Sequence, residues 1–153
     1  MIEFYRPYME ELGFRQQLLA DGETMSFDPR GTIDFPEKKW AEWYRRWLEP
    51  EGGERFYRYI RDSRSGELVG EAAWYFDDVR NIYICSIITA AARRGRGYGG
   101  EALELLCREA RAMGISEIYD DIAPGNRSVG LFLRHGFAVV SSDDVAVLVK
   151  RQL

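Results

Sequence analysis

From residue 36 to 48 the apolar side chains return every three or four positions. Trp40, Trp43, Tyr44, Trp47 and Leu48 fall at i, i+3, i+4, i+7 and i+8, which is one face of a helix. Pro36 suits its first turn, and the run at residues 49–53, EPEGG, stops it. A weaker helical pattern covers residues 7–20, with Tyr8, Leu12, Gln16 and Leu19 on one side. Between the two lies a loop, ETMSFDPRGTIDF, long enough to suggest a functional role. After residue 53 the period changes. ERFYRYIRD alternates, with Phe56 and Tyr59, or Tyr57 and Ile60, available to a core. SRSG is a turn, and ELVGEAAWYF is the partner strand of a hairpin. IYICSIITA is almost wholly apolar or β-branched, as a central strand requires. A helix follows with Leu103, Leu106, Ala110 and Met113 on one stripe, and Gly114 ends it. SEIYDDIA is a short strand. PGNRSVGLFLRHG is a short helix, with Asn126 or a neighbour as its cap and Gly136 as its stop. The last 17 residues form a hairpin around SSDD. The predicted order is two helices, three strands, a helix, a strand, a helix and two strands, a mixed α/β (α+β) class in one domain spanning 1–153.

Length and composition narrow the function. A chain of 153 residues buries enough surface to fold without disulfide or metal staples. A net charge of −4 argues against general binding to nucleic acid or to a membrane surface. Cys85 and Cys107 form no CxxC pair, and His135 is the one histidine, so no metal site is expected. Two separated thiols and an N-terminal stretch without an apolar core fit a cytoplasmic protein.

The densest chemical signal lies between the central strand and the long helix. Residues 93–100, RRGRGYGG, hold four glycines and three arginines. The first amides of a helix lack internal partners and carry the positive end of its dipole. Glycines let that backbone approach a phosphate without a Cβ in the way, and arginine adds charge-assisted contacts. The segment is neither a Walker A loop, since no GK[ST] follows, nor a dinucleotide fingerprint. A single Arg-Gly copy between a strong strand and a strong helix also argues against an RNA-binding tail.

Arg94-Gly95-Arg96-Gly97-Tyr98-Gly99 resembles the [RQ]-x-x-G-x-[GA] loop of the GNAT superfamily of N-acetyltransferases. NRSVGLFLRHGF, residues 126–137, is similar to the later motif of the same family, and the two stand in register across residues 82–140. The resemblance implies a central mixed sheet of six or seven strands, splayed between the fourth and fifth, with about four helices. It implies acetyl-CoA as acyl donor and an amine as acceptor, joined by direct attack in a ternary complex. It admits a homodimer. On this reading the amides of Gly95, Arg96, Gly97, Tyr98, Gly99 and Gly100, in the loop opened by Arg94, hold the pyrophosphate. Ile87, Ile88 and Thr89 pair with the pantetheine arm as a strand would. Asn126 touches the arm, and Arg134 reaches a CoA phosphate or is merely solvated. The first 50 residues fall where the family varies and chooses its acceptor. There Glu23, Asp28 and Asp34 gather near Phe27 and suggest a cationic amine.

One position departs from the family. Many members place a tyrosine where this chain has Phe132, as the acid for the leaving thiolate. Phenylalanine donates no proton, so the role falls to another group, to none, or lapses with catalysis. Tyr83, Ser86, Cys85 and Tyr119 are the candidates. The alternative reading is then a non-catalytic acyl-CoA-binding module. For the base, Asp120 shares a strand face with Ile118 and Ile122, where an apolar residue is expected. It is either a base with a raised pKa or a structural acid capped by an amide. Glu71 is the second candidate, or else an outward-facing surface acid. The tryptophan stripe reads as core before it reads as a pocket. His135 reads as a partner of the helix dipole before a catalyst.

Overall fold

The computed structural model describes residues 1–49 and 54–153. The stop predicted at residues 50–53 lies outside the described residues. One seven-stranded sheet runs through the molecule in the order β1-β2-β3-β4-β5-β7-β6. Its strands are β1 Ile2–Tyr5, β2 Arg55–Asp62, β3 Leu68–Asp77, β4 Ile82–Thr89, β5 Glu117–Ile122, β6 Ala138–Ser142 and β7 Val147–Gln152. All neighbours are antiparallel except β4 and β5. The helices are α1 Gly13–Ala20, α2 Trp40–Trp47, α3 Tyr98–Ala112 and α4 Ser128–Arg134.

Strand β1 is absent from the sequence reading. It has four residues, and its pairing, Ile2 with Asp62 through Tyr5 with Tyr59, is made to a strand more than fifty positions away. The predicted helix at 7–20 is shortened in turn. Residues 9–11 form a single 3-10 turn, and the α-helix begins at Gly13.

Each sheet face carries its own core. Phe56, Ile60, Ala72, Trp74 and Cys85 point to one side, under α3 and α4. Tyr57, Tyr59 and Ala73 point to the other, under α1 and α2. Strand β2 therefore sorts Phe56 with Ile60 and Tyr57 with Tyr59, as a period of two demands. Neither pairing expected from the sequence matches that alternation. The Phe56 and Trp74 rings stack at 4.1 Å. The tryptophan stripe of α2 is core, as expected: Trp43 is buried, with Trp40 and Trp47 packed beside it.

The feature that makes a site is the parallel pair. Strands β4 and β5 meet in register only at Ile84 and Tyr119. Beyond that point they diverge into a V. On the outer flank of β4, Gly70 lies so close that a Cβ there would stand 2.1 Å from the Ile88 carbonyl oxygen. Glycine at position 70 lets β3 hold β4 tightly while the other side of β4 opens.

Candidate active site

A cleft of about 600 Å³ follows the V from one face of the sheet to the other. Ser86 to Thr89 form one wall and Asp120 to Ala123 the other. At one mouth stand the glycine loop and α4, with Asn126, Leu131, Phe132 and Arg134. At the opposite mouth stand Thr24 to Arg30, from the loop between α1 and α2. Separated stretches of sequence thus meet in one groove open at both ends.

The glycine loop has the backbone that an anion cradle needs. Gly95 and Gly97 have φ of +81° and +84°, where other residues are strained. No protein atom lies within 4 Å of a Cβ built at either. Gly97 caps α3, and Glu101 N–H donates to its carbonyl to open the helix. The next two glycines face protein rather than open space. A Cβ on Gly99 would meet Leu131 at 3.4 Å, an ordinary contact, and one on Gly100 would stand 2.8 Å from His135 Nε2, so that the His135 ring would have to shift.

Tyr98 offers only its amide to the cleft. Its side chain is buried, and its hydroxyl donates to Asp62 Oδ2 at 2.5 Å. That bond, with the amides of Arg64 and Ser65, holds the Asp62 carboxyl down at about 2. Tyr98→Phe is expected to return Asp62 toward the ordinary carboxylate range, read by NMR titration. A carboxylate lowered by folding stabilises the fold above its unfolded value, near ~4. That contribution is lost as pH falls toward about 2. The variant is expected to lose stability less steeply across that acid window.

Arg94 serves the loop rather than open solvent. Its guanidinium donates to the Thr24 carbonyl at 2.7 Å and to the Glu23 carbonyl at 3.3 Å. Thr24 Oγ1 in turn accepts the Ala91 amide at 2.9 Å. Thr24 is buried and nothing in the local sequence marks it. Arg96 is exposed and outside the groove wall, near the Tyr98 hydroxyl. Asn126 Oδ1 accepts the Ser128 amide at 2.9 Å, which starts α4 and leaves the side-chain NH2 as a donor. Arg127 and Ser128 also line the groove, a contribution the motif left unmarked.

Of the three predicted catalytic residues, only Asp120 lies in the groove. Tyr83 lies at the opposite end of β4, packed at 5.0 Å against Phe76, beside a separate depression that Tyr119 shares. Glu71 is neither in the groove wall nor on the surface. It is buried, accepts a bond from the Tyr57 hydroxyl, and faces Arg15 Nε at 3.6 Å. The Arg15 guanidinium lies 4.4 Å over Trp43 and 4.8 Å over Phe35. The outward-facing alternative for Glu71 is therefore corrected: its partner comes from α1, 56 positions earlier, which no local pattern reveals.

Asp120 is half-buried, on the face of β5 that carries the buried Ile118 and Ile122. Burial, then the charge of Asp121, pushes its carboxyl well above the carboxylate range, and the Asp121 amide pulls weakly the other way. Asp121 points to the opposite face, where Arg80 Nη2 meets it at 2.7 Å. Cys85 is buried, and its thiol is pushed up by burial and by Asp120. Phe132 is buried against Phe137 at 4.8 Å, its ring closing the cofactor-side wall. Of the acidic acceptor set, only Asp28 reaches the groove, and Arg30 holds it with two bonds of 3.0 and 2.8 Å. His135 Nδ1 pairs with Glu104 at 2.8 Å, so α3 is its partner as much as any dipole.

A seven-stranded mixed sheet, a V opened at its parallel pair and a glycine cradle at a helix start define a GNAT-type transferase. The acetyltransferase (GNAT) family model matches residues 17–137, and the chain belongs to that family. Solved structures agree in fold. An N-acetyltransferase from Staphylococcus aureus Mu50 superposes with a TM-score of 0.78 at 16% identity, over 100% of this chain and 98% of that one. A ribosomal-protein-alanine N-acetyltransferase from Brucella melitensis gives 0.77 at 18% identity, over 100% and 99%. A phosphinothricin acetyltransferase from Sinorhizobium meliloti, solved in complex with AcCoA, gives 0.81 at 16% identity, over 99% and 88%. No curated protein matches the chain. Among the described residues no cluster of His, Cys, Asp or Glu is arranged to hold a metal ion. None of the described helices is long and apolar enough to cross a membrane.

Proposed function

We propose that this protein transfers an acetyl group from acetyl-CoA to an amine, by direct attack within the groove, in the cytoplasm. The observation that carries the reading is the cradle at Gly95 and Gly97, left-handed and clear of protein atoms, at the mouth of the V. Acetyl-CoA supplies an activated thioester when bound. This chain does the holding. Amides from Gly95 to Gly100 face a pyrophosphate at the start of α3. Ile87, Ile88 and Thr89 lie past the last register pair with β5, so on that flank their backbone groups are open to an extended ligand. The Asn126 side-chain NH2 donates to that ligand, and Arg127 and Arg134 add positive charge at the mouth. The acceptor enters by the Thr24–Arg30 mouth, which is open, and its surplus proton leaves to solvent there.

Phe132 favours a second reading, an acyl-CoA-binding module without turnover. The two part on one assay. Acetyl-CoA is offered with a broad panel of amines, and released thiol is followed with a thiol-reactive dye. Thiol released in proportion to acetylated amine supports transfer. Tight binding of acetyl-CoA with no thiol released on any amine would sink the enzyme reading and leave the binding module.

A further inference from the structure

We infer that Asp120 is the general acid of this enzyme, giving its proton to the departing CoA sulfur in the role left open by Phe132. The inference rests on the acetyl-transfer reading above and assigns Asp120 a side of the reaction.

Strand alternation makes the assignment. Residues paired across a sheet share a face, so β3 and β4 can be sorted by register. Ser86 pairs with Ala73 and Ile88 with Glu71, on the α1 and α2 side, where the acceptor mouth opens. Cys85 pairs with Trp74 and Ile87 with Ala72, on the α3 and α4 side, where the cradle lies. On β5 the Ile84–Tyr119 pair sets the register. Tyr119 and Asp121 take the acceptor side, and Asp120 takes the cofactor side with Cys85, Ile118 and Ile122. A base for the incoming amine belongs at the acceptor mouth. Asp120 faces away from it.

Its height in the V fits the same role. Asp120 is one residue past the last register pair, so its carboxyl stands at the floor where the strands begin to part. The cradle is at the rim. A ligand anchored at Gly97 and laid along Ile87 to Thr89 brings its far end to that floor. Phe132 lines the same cofactor-side wall. Phe132 offers no proton on that wall of the groove, while a carboxyl stands at its floor.

The proton inventory closes. As the nitrogen–carbon bond forms and the carbon–sulfur bond breaks, the bonding pair leaves on sulfur. The Asp120 carboxyl proton joins it and gives the thiol. The amine surrenders one proton to water at the acceptor mouth, and solvent returns one to Asp120. An acid must hold its proton at working pH. Burial and the neighbouring Asp121 charge raise the Asp120 carboxyl in that direction. Of the titratable groups around it, Cys85 from β4 shares its face, while Asp121 from its own strand and Tyr75 from β3 lie on the opposite face and are coupled to it by charge.

Two measurements test this. The first needs no turnover: infrared difference spectra of the ligand-free protein at pH 7, wild type minus Asp120→Asn. A neutral carboxylic acid band belonging to Asp120 is expected, and a carboxylate band would overturn the assignment. The second is the pH profile of kcat at saturating substrates. Wild-type kcat is expected to fall as pH rises through the Asp120 pKa. The isosteric Asp120→Asn, with unchanged acetyl-CoA affinity, is expected to lose about 100-fold in kcat and to lose that fall. A kcat that falls toward low pH and recovers this limb in Asp120→Asn identifies a base and overturns the proposal. So does an Asn variant within twofold of wild type. Wild type that acetylates no amine takes down the function and the acid together, whereas transfer with an ionised Asp120 takes down the acid alone.

Discussion

Gly97→Glu is expected to weaken acetyl-CoA binding by 100-fold or more, roughly 2.8 kcal/mol at 1.4 kcal/mol per tenfold. The new side chain enters the space that the cradle leaves open, with a carboxylate where the helix dipole and amides favour a ligand anion. The left-handed backbone, φ +84°, adds a cost of about 1–2 kcal/mol that falls on folding, with or without ligand. Isothermal calorimetry with acetyl-CoA reads the loss. Gly114→Glu is the control, because Gly114 ends α3 at φ +87° with no atom within 4 Å of a Cβ. It carries the same backbone cost outside the groove, so its affinity is expected to stay within twofold of wild type. Equal losses in the two variants would mean that residue 97 acts through folding alone.

Glu71→Ala is expected to lower the unfolding free energy by about 3 kcal/mol, the low end for breaking a buried ion pair. The side chains of Arg15 and Glu71 are 16% and 7% exposed. Removing the carboxylate strands a guanidinium among Phe35, Trp43 and Tyr57 and leaves the buried Tyr57 hydroxyl without its acceptor. A domain with ~5–15 kcal/mol in total feels that loss strongly. Urea unfolding measures it. Replacing both partners by apolar groups, Arg15→Met with Glu71→Leu, is expected to recover most of the stability, because no unpaired charge remains buried. Where Glu71→Ala is still folded, kcat is expected to stay within a fewfold of wild type. A 100-fold fall in kcat without loss of stability would return Glu71 to the candidate bases.

These expectations divide by how far apart the cooperating residues lie. The cradle was legible because everything it needs is contiguous: strand, glycines and helix start follow one another between residues 82 and 112. The same holds for the Asn126 turn that leads into α4, whose cap position falls on its neighbour Arg127, and for the core stripe of α2. Strand β1 was not legible, since four residues carry little period of their own and their identity comes from β2. Glu71 escaped for the same reason, with its partner on α1. Gly99 closes the motif and Gly100 follows it, while the side chains packed closest to them are Leu131 and His135, more than thirty positions on. For Asp120 the sequence showed an acid on an apolar face. The register at Ile84 and Tyr119 was needed to say which face.

The Arg94 bonds to Glu23 and Thr24 join the two mouths of the groove into one mechanical piece. The backbone that cradles the donor and the loop that meets the acceptor share a guanidinium and a threonine hydroxyl. A displacement of either on ligand binding would have to break or drag these shared bonds. Thermodynamic linkage makes the resulting coupling symmetric. An amine that tightens the grip on acetyl-CoA by some factor is itself held more tightly, by that same factor, once acetyl-CoA is in place.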